Sequence, residues 1–387
     1  MGYNTRVHNL ILYLVIGTAL AFDFTNGFHD TANAMATSIA TGAFKPKTAV
    51  SVAAVLNLVG AFLSLSVAAT IASGIVTQDL VTLPVIFAGL AGAIIWNVST
   101  WYAGIPSSSS HALIGGVVGA MLAYKGSAAV QWNGVFSKVL LPAILAIAVA
   151  GALATAATWL AFRITRGVDD APKTAGFRLA QKGSASMIAL AHGTNDAQKT
   201  MGIITLALVA NNTIGATDAT PTWVIASCGT AIALGTFLGG WRIIRTLGKG
   251  ITDLESPQGF AAETSSATTI LTSSYLGFPL STTQVCTGSV VGSGVGAGVP
   301  VRWAVFGRMI VAWILTFPAA LGVGALTYAI QDAIGGNVGV AVTAGLLALV
   351  CLMIYVLSRR APVTPANVND DWDPTDELPA AEPAAAN

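Results

Sequence analysis

The stretch Gly27-Phe28-His29-Asp30-Thr31-Ala32-Asn33-Ala34-Met35 lies within an apolar run at residues 8–41. Its pattern returns as Gly193-Thr194-Asn195-Asp196-Ala197-Gln198-Lys199-Thr200-Met201 within a second run at 177–210. A carboxylate in such surroundings is costly unless it is paired, hydrated or holding an ion, so Asp30 and Asp196 read as functional residues. Their recurrence at matching positions points to two halves of one transport machine.

Working outward, the composition supports a membrane setting. Charged residues make up 9% of the 387-residue chain and hydrophobic residues 54%, with a mean hydropathy of +0.72. A soluble domain carries about 25% charged residues. Further apolar segments at about 48–73, 83–103, 107–124, 133–163, 222–247, 259–276, 280–298, 302–331 and 337–358 give an all-α polytopic membrane protein. No basic face suggests nucleic-acid binding. Cys228, Cys286 and Cys351 show no disulfide or metal spacing, and no zinc motif or cofactor motif is present. No Gly-x-x-x-x-Gly-Lys-Ser/Thr loop occurs, which argues against ATP-driven transport by this chain alone. The apolar run at 8–22 is followed by Asp23 rather than a cleavage site and reads as a retained helix.

The runs 8–41 and 177–210 exceed one span. As helices, 34 residues at ~1.5 Å each reach ~51 Å, against a hydrocarbon core of ~30 Å. A break or unwound stretch at each motif is therefore expected, lining an enclosed cavity.

A second duplication supports the first. Tyr102–Gly119 (YAGIPSSSSHALIGGVVG) and Tyr275–Gly292 (YLGFPLSTTQVCTGSVVG) match at eight of eighteen positions. If each lies in a helical hairpin, at 83–124 and 259–298, then repeat 1 (8–163) crosses the membrane an odd number of times. Repeat 2 (177–331) then has inverted topology. Residues 164–176 form a cytoplasmic linker, 337–358 an extra transmembrane helix, and 361–387 a disordered acidic tail. With the N-terminus outside, fourteen Lys and Arg residues fall on the cytoplasmic side and three (Arg6, Lys125, Lys138) outside. That bias sets N-out, C-in.

The hairpin tips suggest the chemistry. Gly-x-Pro closes one helix, and hydroxyls open the next: Ser107, Ser108, Ser109 and Ser110 in tip one, and Ser281, Thr282 and Thr283 in tip two. Free N–H groups, hydroxyls and the positive dipole end form an oxyanion site. Asp30 and Asp196 repel an anion, but they hold Na⁺ or carry a proton beside it, with Asn33, Asn195 and Gln198 adding amide oxygens. Lys199 stands where repeat 1 has Asn33, and it either neutralises Asp196 or touches the anion. His29 matches Asn195, and Gln284 matches His111. Glu263, where repeat 1 has Leu90, is a gate or cation residue or lies near the cytoplasmic surface. Asp23 has no acidic counterpart.

The segments Asn26-Gly27-Phe28-His29-Asp30-Thr31-Ala32-Asn33-Ala34 and Ala191-His192-Gly193-Thr194-Asn195-Asp196-Ala197-Gln198-Lys199 resemble the duplicated motifs of the inorganic phosphate transporter (PiT) family. The resemblance reaches to about residue 358. It implies inverted repeats with hairpins and a bacterial permease of the cytoplasmic membrane, forming a homodimer. It also implies import of inorganic phosphate by symport with Na⁺ or H⁺, in some members as a divalent metal–phosphate complex. Carried over by position, it implies cation coupling by Asp30, Asn33, Asn195 and Asp196, with Asp30 and Asp196 as metal ligands if Na⁺ is the coupling ion. It also implies phosphate binding by the two tips with Gln198 beside them. Asn26, His29, Lys199, Glu263 and Gln284 are further candidates. Rival readings are a sulfate permease on the same scaffold and an anion channel; an intramembrane enzyme has no demonstrable nucleophile–base pair.

Overall fold

A computed structural model describes residues 2–370, which are almost entirely helical. The first half contains α1 (Gly2–Ala40), α2 (Pro46–Gly60), α3 (Ser66–Gly74), α4 (Leu83–Tyr102), α5 (Ser109–Lys125) and α6 (Trp132–Ile164). The second half repeats this order with α7 (Asp170–Ala210), α8 (Thr222–Leu238), α9 (Trp241–Lys249), α10 (Ser256–Tyr275), α11 (Thr282–Ala297) and α12 (Trp303–Ile334). α13 (Gly336–Ser358) follows without a counterpart. Among the described residues, five helices are long and apolar enough to cross a membrane, or six if α8 and α9 count as one bent span.

The halves are interlocked. α5 packs on α12 as α11 packs on α6; α1 packs on α8 and α9 as α7 packs on α2 and α3. Each hairpin thus rests against the last helix of the other half. The apolar core divides accordingly into one cluster around α4 and α5 and another around α10 and α11. α6, α12 and α13 turn residues such as Ile144, Ile314 and Leu349 outward.

The break expected at each polar motif is not there: α1 and α7 run without interruption for 39 and 41 residues. The polar side chains leave the backbone ladder intact, and Thr31 and Thr194 donate their hydroxyls back to the Gly27 and Leu190 carbonyls at 2.6 and 2.8 Å. Gly27 and Gly193 serve close approach instead. A Cβ on Gly27 would sit 3.0 Å from the Thr236 nitrogen in α8, and one on Gly193 would sit 2.7 Å from the Asn57 carbonyl carbon in α2. The interruption falls one element later, between α2 and α3 and between α8 and α9, where the second pair bends by 70°. Gly193→Leu is expected to force α7 off α2. Overpacking of this kind costs about 1–3 kcal/mol or more, and loss of the monodisperse peak in size-exclusion chromatography would report it.

Two boundaries also shift. α7 begins at Asp170, so the connection between halves is shorter than 164–176. Residues 361–370 of the tail expected to be disordered are docked on α9. Arg242 donates to the Ala361 carbonyl and Arg245 to the Asn367 carbonyl, and Val368 is buried in the second core cluster. Residues 371–387 lie outside the described residues.

Candidate functional site

The two tips are built alike. After α4 and α10, Gly104 and Gly277 take positive φ (67° and 78°), a conformation glycine adopts without a Cβ penalty. Ser108 then caps α5 by accepting from the His111 N–H at 3.2 Å, and Ser281 caps α11 by accepting from the Gln284 N–H at 3.4 Å. The tips touch, because the Ser110 hydroxyl donates to the Leu280 carbonyl at 3.1 Å.

The motifs on α1 and α7 meet the tips with matching contacts. Ser109 donates to Asp30 Oδ1 at 3.3 Å, and its counterpart Thr282 donates to Asp196 Oδ2 at 3.1 Å. Asn33 Nδ2 donates to Thr282 and Thr283 at 3.2 and 3.0 Å, while Lys199 Nζ, in the corresponding place, donates to Ser110 at 2.5 Å. Thr283 also donates to Asp30 Oδ1 at 3.4 Å. None of these tip and motif residues is more than 5% exposed, so the cluster is closed on all sides.

Asp30 and Asp196 come together with a third group, His192. One ligand atom from each lies within 4.8 Å of the others. The hydrogen bonds around His192 favour one tautomer. Asn57 Nδ2 donates to Thr236 at 2.7 Å, which leaves Asn57 Oδ1 as the acceptor 3.2 Å from His192 Nδ1. Nδ1 therefore carries the proton. In the neutral ring Nε2 then presents a lone pair 3.2 Å from Asp196 Oδ2, without hydrogen-bond alignment. In that neutral form two lone-pair atoms face each other, an arrangement that a bound proton or metal cation relieves; with the ring protonated the same contact is an ion pair. Asn33 Oδ1 is also buried without a partner. His192 was not a site candidate from sequence, although its i, i+4 spacing to Asp196 was a usable signal.

The remaining candidates divide, with His29 inside the cluster. His29 Nδ1 contacts Asp30 Oδ1 at 2.5 Å, and its Nε2 faces Thr100 at 3.2 Å. Asn195 turns to Ser274 at 2.8 Å, leaving its Oδ1 unpartnered. Gln198 does not reach the tips: its Oε1 accepts from the Val67 and Ala68 N–H groups at 2.9 and 3.2 Å, capping α3, and its Nε2 donates to the Thr194 carbonyl. Asn26 and Gln284 are buried, each with an unpartnered Oδ1 or Oε1. Asp23 is wholly buried with neither oxygen hydrogen-bonded.

Glu263 is buried apart from this cluster and joins three helices. Thr37 of α1 and Gln181 of α7 donate to its Oε1 at 2.6 and 3.0 Å, and Ser184 of α7 donates to Oε2 at 2.6 Å. At the corresponding place in the other half, Leu90, Val15 and Ile203 are all buried in the first apolar cluster. Glu263→Ala would strand three donors, each costing about 1–3 kcal/mol when buried unpaired. A lower thermal midpoint is expected for Glu263→Ala than for the isosteric Glu263→Gln, and equal midpoints would contradict this reading.

The profile of the phosphate transporter family matches residues 26–324. A probable low-affinity inorganic phosphate transporter from Mycobacterium bovis is 58% identical over 365 residues, spanning 94% of this chain and 88% of the relative. One from Rhizobium meliloti is 45% identical, spanning 83% and 97%. A solved structure described as the sodium-dependent phosphate transporter shares the fold, with a TM-score of 0.74, 23% identity, and coverage of 84% of this chain and all of that one. The relatives are transporters rather than enzymes, and this multi-pass membrane protein belongs to the phosphate transporter family.

Proposed function

We propose that the protein imports inorganic phosphate by symport with a cation, using alternating access between two inverted repeats. The observation that carries this reading is the direct contact between the cation-type cluster (Asp30, His192, Asp196) and the anion-type tips, through Ser109 and Thr282. Two unit charges about 5 Å apart interact by roughly 3 kcal/mol at an effective dielectric constant of about 20. An anion brought to the tips is therefore repelled by the carboxylates until a cation binds beside them, and that dependence couples the two fluxes. An imidazole nitrogen suits a proton better than Na⁺, which prefers oxygen donors, and so supports H⁺ as the coupling ion.

Burial of the whole cluster supports an occluded site rather than a continuous pore. The reciprocal packing of the halves supports an inverted pair, and the Lys/Arg bias supports N-out, C-in. Phosphate, unlike sulfate, carries a hydroxyl at neutral pH, and the Asp30 and Asp196 oxygens beside the tips supply an acceptor for it. The test is uptake of labelled phosphate with excess sulfate, with and without Mg²⁺. Undiminished uptake in sulfate is expected, and equal competition by sulfate would contradict the substrate assignment. Stimulation by Mg²⁺ would identify a metal–phosphate complex as the form carried.

A further inference from the structure

Lys199 breaks the symmetry of the site. We propose that its ammonium is a tethered cation filling one of two symmetric cation positions, so that phosphate crosses with one mobile cation fewer than a fully symmetric site would require. This deepens the symport reading and rests on it.

The shell around Lys199 Nζ is that of a bound cation. It contacts Asp196 Oδ1 at 2.5 Å, the Ser110 hydroxyl at 2.5 Å and the Leu280 carbonyl at 2.8 Å. A carboxylate, a hydroxyl and a backbone carbonyl are the oxygen donors that hard metal cations select, and here they take up all three N–H bonds of the ammonium. The position is almost fully buried, at 1% exposure, so the charge is held within the protein rather than reaching water.

The repeat maps each member of this shell onto the other half. Asp196 corresponds to Asp30, Ser110 to Thr283, Leu280 to Ser107, and Lys199 to Asn33. There the neutral Asn33 brings no charge. Its Nδ2 donates to Thr283 at 3.0 Å, the counterpart of the Lys199–Ser110 contact, while its Oδ1 is buried without a partner. The first half thus has no fixed ammonium, Asp30 being met by the His29 imidazole at 2.5 Å, whereas the second half carries its own. The mobile cation is left the space between Asp30, Asp196 Oδ2 and His192 Nε2.

A purely structural ion pair would stabilise the fold without changing how much charge moves with each phosphate. The test is therefore the charge carried per phosphate, read from reversal potentials in proteoliposomes for the wild type, Lys199→Asn, Asn33→Lys and the double exchange. Lys199→Asn is expected to move one more positive charge per phosphate than the wild type and to acquire stimulation by Na⁺ in the vacated oxygen shell. Asn33→Lys is expected to move one fewer, and the double exchange to restore the wild-type ratio. The wild type alone supplies a second readout that needs no variant to fold. Its uptake should rise with the coupling cation with a Hill coefficient of about 1, and a value approaching about 2 would overturn the proposal. An unchanged charge ratio in a folded, phosphate-transporting Lys199→Asn protein would overturn it equally. Wild-type protein that shows no coupled uptake under any imposed gradient would instead overturn the symport reading beneath it.

Discussion

Asp196→Asn is expected to abolish phosphate uptake and to destabilise the fold, whereas Asp30→Asn abolishes uptake in a protein close to wild-type stability. The difference comes from Lys199, whose buried ammonium has Asp196 as its carboxylate partner at 2.5 Å. Removing one member of a buried pair leaves an uncompensated charge and costs about 3–5 kcal/mol. Asp30 is met instead by His29 and by the hydroxyls of Ser109 and Thr283, to which an asparagine carbonyl also accepts. Its replacement should cost no more than about 1.5 kcal/mol, the usual net worth of a hydrogen bond. Thermal unfolding in detergent separates the two variants, and uptake in proteoliposomes shows both inactive. Adding Lys199→Met to Asp196→Asn removes the stranded charge, so stability should recover while uptake does not. Equal midpoints for Asp196→Asn and wild type would contradict the assignment of the pair.

The second large effect falls on the mirror hydroxyls Ser109 and Thr282. Each stands at the first turn of its hairpin helix and donates to the aspartate of one half, at 3.3 and 3.1 Å. Under the proposed function both turn to the oxyanion when it binds. A hydrogen bond to a charged group contributes about 1.5–3 kcal/mol, so Ser109→Ala or Thr282→Ala should raise the KM for phosphate by about 10- to 150-fold. Ser109→Thr and Thr282→Ser keep the hydroxyl and should stay near the wild type. Both alanine variants should lose affinity, though unequally, because Lys199 sits beside Asp196 and His29 beside Asp30; an unchanged KM in either would contradict a shared anion site.

Much of this candidate site is legible in the sequence, because a duplication registers in residue identity. The aspartates, the Gly-x-Pro turns and the tip hydroxyls recur at constant offsets, and they do meet in space. What escaped depends on neighbours distant in sequence. The lengths of 8–41 and 177–210 suggested an unwound stretch at each motif, yet the helices are intact and Gly27 and Gly193 admit the α8 and α2 backbones to them. Gln198 carries a side chain suited to phosphate, but the free N–H groups at the start of α3, some 130 residues earlier in the chain, take its oxygen. His192 acquires its lone pair toward Asp196 only because Asn57, already donating to Thr236, accepts from the other ring nitrogen. Arg242 and Arg245 suggested nothing beyond a cytoplasmic end, and they hold the start of the tail.

The central claim, that a cation at the paired aspartates drives phosphate through the tips, is tested most directly by phosphate accumulation in sealed proteoliposomes with equal phosphate on both sides. Imposing an inward proton or Na⁺ gradient, without ATP, should drive net uptake against the phosphate gradient that develops, and Asp30→Asn should eliminate it. Phosphate that only equilibrates, unaffected by either cation gradient, would contradict the account.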